Sequence, residues 1–390
     1  MYDRLVANGR DHDVVLFGAT GFTGALAAQY MKLHAPDRLR WAIAGRNAEK
    51  LAALAERLEI DVPMLRADVE DAASMRALAE ASRVLVSTVG PYTRYGEPAV
   101  EACALAGTDY LDLAGEPEFV DLMYIRHHER AIQSGARLVH CCGFDSVPHD
   151  LGAQFTVEQL PENVPLRVQG FVRARLSISG GTLHSAIGAF SRLRQSAAAS
   201  AARRRLRPHL GARRVRGHVG GPHHEPELGW VVPLPTIDPQ VVLRSAAALP
   251  RYGPDFSYAH YLVTGSLPAA GAVLGATLGA VALAQLPPTR RMLLARIAPG
   301  EGPSVERRRE SRFEVRFLGE GGGSRVVTQV SGGDPGYEET AKIICEAAMC
   351  LSEDGGLPSL AGQLTPAVAM GAALRDRLQA AGIPFRVLSR

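Results

Sequence analysis

Three glycines near the start of the chain carry the first recognisable chemistry. Gly18-Ala19-Thr20-Gly21-Phe22-Thr23-Gly24 follows a short apolar run, Val14–Phe17, and opens a helical stretch from Gly24 to His34. In such a turn Gly18 permits the tight reversal and Gly21 lets the backbone approach a diphosphate. Gly24 lets helix and strand pack closely. The helix start adds unpaired amides and a partial positive charge that favour phosphate. The turn therefore reads as a dinucleotide site, with Thr20, Phe22 and Thr23 as its other members. The next strand ends Ala44-Gly45-Arg46-Asn47. An acidic residue there would grip a ribose 2′-hydroxyl, and its place is taken by Gly-Arg-Asn. Arg46 suits a 2′-phosphate through its planar fork, so the pattern favours NADP(H) over NAD(H), with Asn47 beside it. Asp68, after the third strand, is placed for an adenine edge. Gly90-Pro91-Tyr92, after the fourth, marks the nicotinamide end.

These residues need a scaffold, and the apolar periodicity supplies one. Strands are expected at Val14–Phe17, Trp41–Ala44, Val62–Leu65, Val84–Thr88, Tyr110–Leu113 and Arg137–Cys141. Helical stretches alternate with them. Short links between six βα units imply a parallel sheet covered on both faces, a doubly wound Rossmann domain over 1–145. From about Asp145 the pattern changes. Leu166–Leu176 alternates apolar and polar residues, and Arg312–Phe317 with Arg325–Val330 reads as a hairpin across Gly319–Gly323. A second, α+β substrate domain is expected over 146–355, with the helix Glu338–Leu351 inside it. A final segment, 356–390, holds a helix over Pro366–Leu378 and a strand-like Pro384–Leu388.

Several blocks together resemble the saccharopine dehydrogenase-like oxidoreductases. They are the glycine turn, Ala44-Gly-Arg-Asn47, Val89-Gly-Pro-Tyr92, Tyr110-Leu-Asp-Leu-Ala-Gly-Glu116 and Gly143-Phe-Asp-Ser-Val-Pro148. Later blocks are similar to the trans-acting enoyl reductase branch: Asp238-Pro-Gln-Val-Val-Leu-Arg-Ser245, Arg251-Tyr-Gly-Pro-Asp255, Ser331-Gly-Gly-Asp-Pro-Gly-Tyr337, Glu339-Thr-Ala-Lys342 and Thr365-Pro-Ala-Val-Ala-Met-Gly371. The resemblance spans nearly the whole chain. It implies a C-terminal tail returning to the first domain. It also implies NADPH-dependent reduction of an enoyl thioester on an acyl-carrier or polyketide synthase partner, in the making of cell-envelope lipids. Two other readings stay open: a related reductase of an imine or carbonyl substrate, and a non-catalytic NADP-binding module at lipid surfaces.

Enoyl reduction needs a donor for the developing enolate oxygen and a proton for the α-carbon. Tyr92, Tyr95, Asp145 and Tyr337 are the candidates, with His149 beside Asp145. For each, a packed ring or a structural hydrogen bond is the plainer role. Ser179-Gly180-Gly181-Thr182 offers backbone amides to a carbonyl or serves as a tight turn. His223-His224 with Glu225 and Glu227 reads as a loop, not a metal site, and no metal is expected elsewhere. His127-His128 reads as helix surface, and Cys141-Cys142 as packed thiols.

Composition bounds the rest. With 390 residues, 46% hydrophobic and 21% charged, the chain can build two cores, and a net charge of +3 argues against a nucleic-acid partner. Five cysteines without paired spacing, and the lack of a visible signal peptide, point to reduced thiols and a cytoplasmic protein. Between Arg192 and Arg216, Arg203, Arg204, Arg205, Arg207, Arg213 and Arg214 form a basic segment that reads first as a solvated face and otherwise as a docking surface for an acidic carrier domain or an anionic lipid surface. Ala269–Leu286 is an uncharged apolar run followed by Arg290 and Arg291. It reads as a buried hairpin or as a helix at a membrane surface or lipid-facing tunnel, which would place the protein peripherally at the inner face of the plasma membrane. Oligomeric state has no signature in the sequence.

Overall fold

The short apolar runs of the first third pair side by side in one parallel sheet. The computed structural model describes residues 9–175, 187–188, 191–206, 210–218, 220–286, 288–289, 291–292 and 304–390. Contacts divide the chain into two units, 1–143 with 337–377 and 144–336 with 378–390. In the first unit, β1 (His12–Phe17), β2 (Trp41–Gly45), β3 (Met64–Arg66), β4 (Ser82–Ser87), β5 (Asp109–Asp112) and β6 (Arg137–Val139) are the six expected strands. Their order around the sheet places β4 and β2 on either side of β1. The order reverses there, so the carboxyl ends of β1 and β4 flank the switch point where such sheets bind ligands. Val14, Val15 and Leu16 are at most 1% exposed. A strand covered on both faces needs this unbroken apolar run.

Two features of this unit depart from the sequence reading. A seventh parallel strand, Gly362–Leu364, adds to β6 from the C-terminal region. The helix Glu338–Glu353 belongs to this unit rather than to the second domain, so the boundary expected at 355 moves to 336. Its apolar stripe, Ile343, Ile344, Ala347, Ala348 and Leu351, is buried, and it packs on the helix Phe22–His34 and on β1, β4 and β5. Tyr30 fastens the pair by donating to Glu346 at 2.7 Å. Periodicity correctly marked the helix but carried no information about which sheet its stripe would cover.

Among the described residues, the second unit is built on a mixed eight-stranded sheet. Its strands are β7 (Leu166–Arg175), β8 (Arg214–Gly217), β9 (His223–Glu225), β10 (Gly229–Pro233), β11 (Asp255–Gly265), β12 (Arg312–Gly321), β13 (Ser324–Gly332) and, counting the seventh strand of the first sheet as β14, β15 (Phe385–Ser389). β7 lies between β11 and β12. The β12–β13 hairpin closes through Gly322 and Gly323, both at positive φ (58° and 79°), as a two-residue turn requires. The helix Val147–Glu158 packs on this sheet; a Cβ on Gly152 would stand 2.3 Å from the Phe317 ring, so only glycine allows the approach. The C-terminal tail is corrected too. Pro366–Leu378 is two helices, Pro366–Ala369 and Gly371–Ala380, parted at Gly371 (φ 47°). Residues 356–377 return to the first unit, where Gly362–Leu364 extends its sheet, whereas β15 pairs with β13 and the last residues, 378–390, belong to the second unit.

Candidate functional site

A cleft of about 270 Å³ opens at the switch point of the first unit. Gly18, Thr20, Gly21, Arg46, Asp68, Thr88 and Tyr95 line it. Gly18 sits at φ +87°, and a Cβ there would stand 2.7 Å from Val89 and 2.8 Å from Thr88 Oγ1. Gly21 is the N-cap of the helix Phe22–His34, which has no side-chain cap and no acidic residue in its first turn. That leaves the helix start electrostatically suited to an anion. Gly24 does not line the cleft. A Cβ on it would meet the Gly18 carbonyl oxygen at 2.3 Å, so it sets how closely the helix follows the turn.

Arg46 is exposed at the end of β2 and faces the cleft. No acidic residue stands at this strand end. Asn47 points elsewhere: its side chain accepts from Lys50 N at 2.9 Å and caps the helix Ala48–Leu58. Asp68 Oδ1 accepts from Glu70 N at 3.1 Å, which shapes the turn along the cleft wall. Phe22 packs edge-on against Tyr337, with ring centroids 4.9 Å apart. Thr23 is half-buried on the same first turn. Gly90 and Pro91 are exposed beyond β4 and outside the cleft lining.

The proton-donor candidates separate clearly. Tyr92 is 6% exposed; its hydroxyl donates to the Ser87 carbonyl at 2.9 Å and accepts from Leu113 N at 3.2 Å. Both capacities of the phenol serve the backbone, and burial pushes its pKa well up. Tyr92 is therefore a structural pin rather than a donor to substrate. Tyr95, three residues on, is half-buried in the cleft, with the Arg94 guanidinium 4.9 Å over its ring. Tyr337 is buried at the start of the helix Glu338–Glu353. Asp145 is exposed on the turn before the helix Val147–Glu158. His149 is buried on that helix. Ser179-Gly180-Gly181-Thr182 lies outside the described residues.

The sequence reading missed one buried pair in this unit. Asp112, at the end of β5, bonds His140 Nδ1 at 2.6 Å, and both side chains are buried. The other Asp112 oxygen accepts from Ala114 N and Cys141 N, both at 3.0 Å. The carboxylate thus ties the ends of β5 and β6 together. Asp112 stands inside a quoted motif, but nothing in sequence spacing points to a partner 28 positions away.

Other expectations are corrected. His127 and His128 are not helix surface. His127 is buried against Glu97 (3.2 Å), and His128 accepts from Gln363 N at 2.9 Å, holding β14. His223 and His224 lie on β9 rather than in a loop. The basic segment does not present one face: Arg203 is buried, and Arg213 donates to the carbonyls of Ala246, Ala247, Leu249 and Gly253. Arg204, Arg205 and Arg214 are exposed, and Arg207 lies outside the described residues. All five cysteines are buried and unbridged.

Known proteins resemble the chain at several levels. Residues 14–139 match the family model of the saccharopine dehydrogenase NADP binding domain. The chain is 33% identical to a trans-acting enoyl reductase of Mycobacterium tuberculosis, over 96% of this chain and 97% of that protein. It is 30% identical to a saccharopine dehydrogenase-like oxidoreductase of Rattus norvegicus, over 97% and 98%. Among solved structures it is similar to the apo saccharopine dehydrogenase (L-Glu forming) of Saccharomyces cerevisiae, with a TM-score of 0.52 and 12% identity, covering 96% of this chain and 99% of that one. At that identity the likeness speaks for the fold.

Proposed function

The chain belongs to the saccharopine dehydrogenase-like oxidoreductases, and from that premise we propose that it reduces the double bond of an α,β-unsaturated acyl thioester carried by a partner synthase. It is an NADP-dependent oxidoreductase. The observation that carries the substrate class is the full-length similarity to a protein named as a trans-acting enoyl reductase.

The cleft fits the cofactor. Gly18 and Gly21 keep side chains away from the diphosphate path, and the uncapped helix start meets its charge. Arg46, exposed at the end of β2 in the place of an acidic ribose-binding residue, suits the 2′-phosphate. When bound, NADPH supplies a hydride to the β-carbon of the substrate. This chain's part is to hold the thioester and stabilise the enolate oxygen until the α-carbon takes a proton. We assign the enolate-donor role to Tyr95, the tyrosine whose ring lines the cleft. The test is NADPH oxidation with enoyl thioesters on coenzyme A and on a carrier domain, beside imine and ketone substrates. Turnover with the enoyl thioesters is expected. Turnover with imines or ketones alone moves the substrate class, and cofactor binding without any turnover makes the chain a binding module.

We further propose that the protein works at a lipid surface, on the cytoplasmic side of a membrane. The helix Leu267–Gln285 is apolar around its whole circumference and only 11% buried. Leu267, Leu278, Leu283 and Leu286 are exposed. A helix of this kind packed against protein would bury at least one stripe. Before it the chain leaves β11, and after it the chain rejoins the same sheet at β12, so the segment departs from and returns to one sheet. This geometry favours lying in the interface over a single crossing. Flotation with anionic vesicles is expected for the full chain and should be lost in Leu278→Glu/Leu283→Glu. Flotation unchanged by the double substitution would remove the helix from the role.

A further inference from the structure

We propose that the second unit holds a divalent transition-metal ion of the zinc type between His149, Asp238 and His260. The three come from separate elements: the helix Val147–Glu158, the first turn of the helix Asp238–Ala248, and β11. Their exposures are 2%, 2% and 5%, so water does not satisfy them from outside. One ligand atom from each lies within 4.8 Å of the other two.

Three observations point to an ion. Both ring nitrogens of His149 are buried without a hydrogen-bond partner. Buried polar atoms left in that state are uncommon in folded proteins. His260 Nε2 stands 3.3 Å from Asp238 Oδ2, yet makes no aligned hydrogen bond to it. Donors about 2.0–2.1 Å from a tetrahedral zinc stand about 3.3–3.4 Å from each other, so the pair already has chelating separation. The outer contacts then orient the ligands. Tyr258 Oη lies 3.0 Å from His260 Nδ1, which leaves Nε2 for the ion. Thr236 Oγ1 donates to Asp238 Oδ2 at 2.5 Å. Gly170 on β7 makes the Tyr258–His260 pair possible, because a Cβ there would stand 2.6 Å from Tyr258 Oη.

Two imidazoles and one carboxylate form a donor set that suits zinc and leaves a fourth position for a small ligand. The ion ties two helices to β11. The sequence could not reveal it, since its ligands stand 89 and 22 positions apart without a motif spacing.

The test uses the full-length chain, stripped with a chelator and titrated with Co²⁺. Uptake of one equivalent with visible d–d absorption, displacement by Zn²⁺ and a rise in melting temperature are expected. The signal should vanish in His260→Gln and Asp238→Asn and persist in His223→Gln, which alters the other histidine pair near this sheet. Tyr258→Phe, a mild change, should bind the ion about 10-fold more weakly. Absence of Co²⁺ and Zn²⁺ uptake by the unmodified chain overturns the proposal, whatever the variants do. So does uptake that survives His260→Gln and Asp238→Asn, or uptake lost in His223→Gln.

Discussion

At the scale of single residues, Arg46 and Gly24 separate recognition of the cofactor from the shape of its site. Arg46 is exposed in the cleft, so Arg46→Ala should leave the fold intact. Loss of a charge-assisted contact to a 2′-phosphate raises the dissociation constant for NADPH by about 10- to 100-fold. The constant for NADH should hardly move; isothermal titration with both nucleotides checks this, and equal losses would remove the clamp. Gly24→Ala acts differently, because its Cβ would stand 2.3 Å from a backbone oxygen that cannot swing away. It should cost about 1–3 kcal/mol of stability and weaken both nucleotides together. Gly271→Ala, with open space around it on the exposed helix, is the tolerated counterpart in the same thermal-melt series. Tyr95→Phe should lower kcat with KM little changed, whereas Tyr92→Phe should lower stability first, since its hydroxyl serves two backbone groups. Residue types made Tyr92 and Tyr95 look equivalent in sequence. Only the turn of the short helix Tyr92–Tyr95 sends one ring inward and the other to the cleft.

At the scale of elements, the helix Glu338–Glu353 shows why periodicity was legible and its destination was not. The spacing of Ile343, Ile344, Ala347 and Ala348 defines a buried stripe, but either sheet would accept it. The short strand β14 escaped for a similar reason. Its three residues, Gly362–Leu364, carry too little pattern, and pairing with β6 makes them a strand. Arg377 holds the end of the helix Glu338–Glu353 through Glu346 (3.5 Å), Glu353 (3.3 Å) and Asp354 (2.9 Å). Burial pushes the Asp354 carboxyl up, but the Arg377 guanidinium outweighs it and the net shift is downward. A folded pKa below the unfolded one means the contribution is complete above the ordinary carboxylate range. It is lost as pH falls through the lowered value. Arg377→Met should therefore cost about 1 kcal/mol or less near neutrality, given partial exposure. Its difference from the unmodified chain should shrink below about pH 4. Urea unfolding at both pH values measures this, and a difference that grows in acid would contradict the pairing.

At the scale of the whole molecule, the glycine turn, the six βα units and the hairpin were open to reading because each is local. Strand, turn and helix sit within a few residues of each other, and Gly18, Gly21 and Gly24 answer to constraints inside one turn. The pairs that sequence could not supply join distant positions: Asp112 with His140, Gln363 with His128, and Asp238 with His260. The chain also passes between its units three times: the return to the first unit, expected at 356, comes at 337, and a last crossing at 378 has no signature in the sequence. The proposed activity requires that hydride from NADPH reach the β-carbon of an enoyl thioester. The direct measurement is reduction of a carrier-bound enoyl thioester with NADPH deuterated at both C4 positions, with the product read by mass spectrometry and NMR. One deuterium at the β-carbon and consumption of one NADPH per product are expected. NADPH left unconsumed, or deuterium appearing only in products of imines or ketones, would contradict the proposed activity.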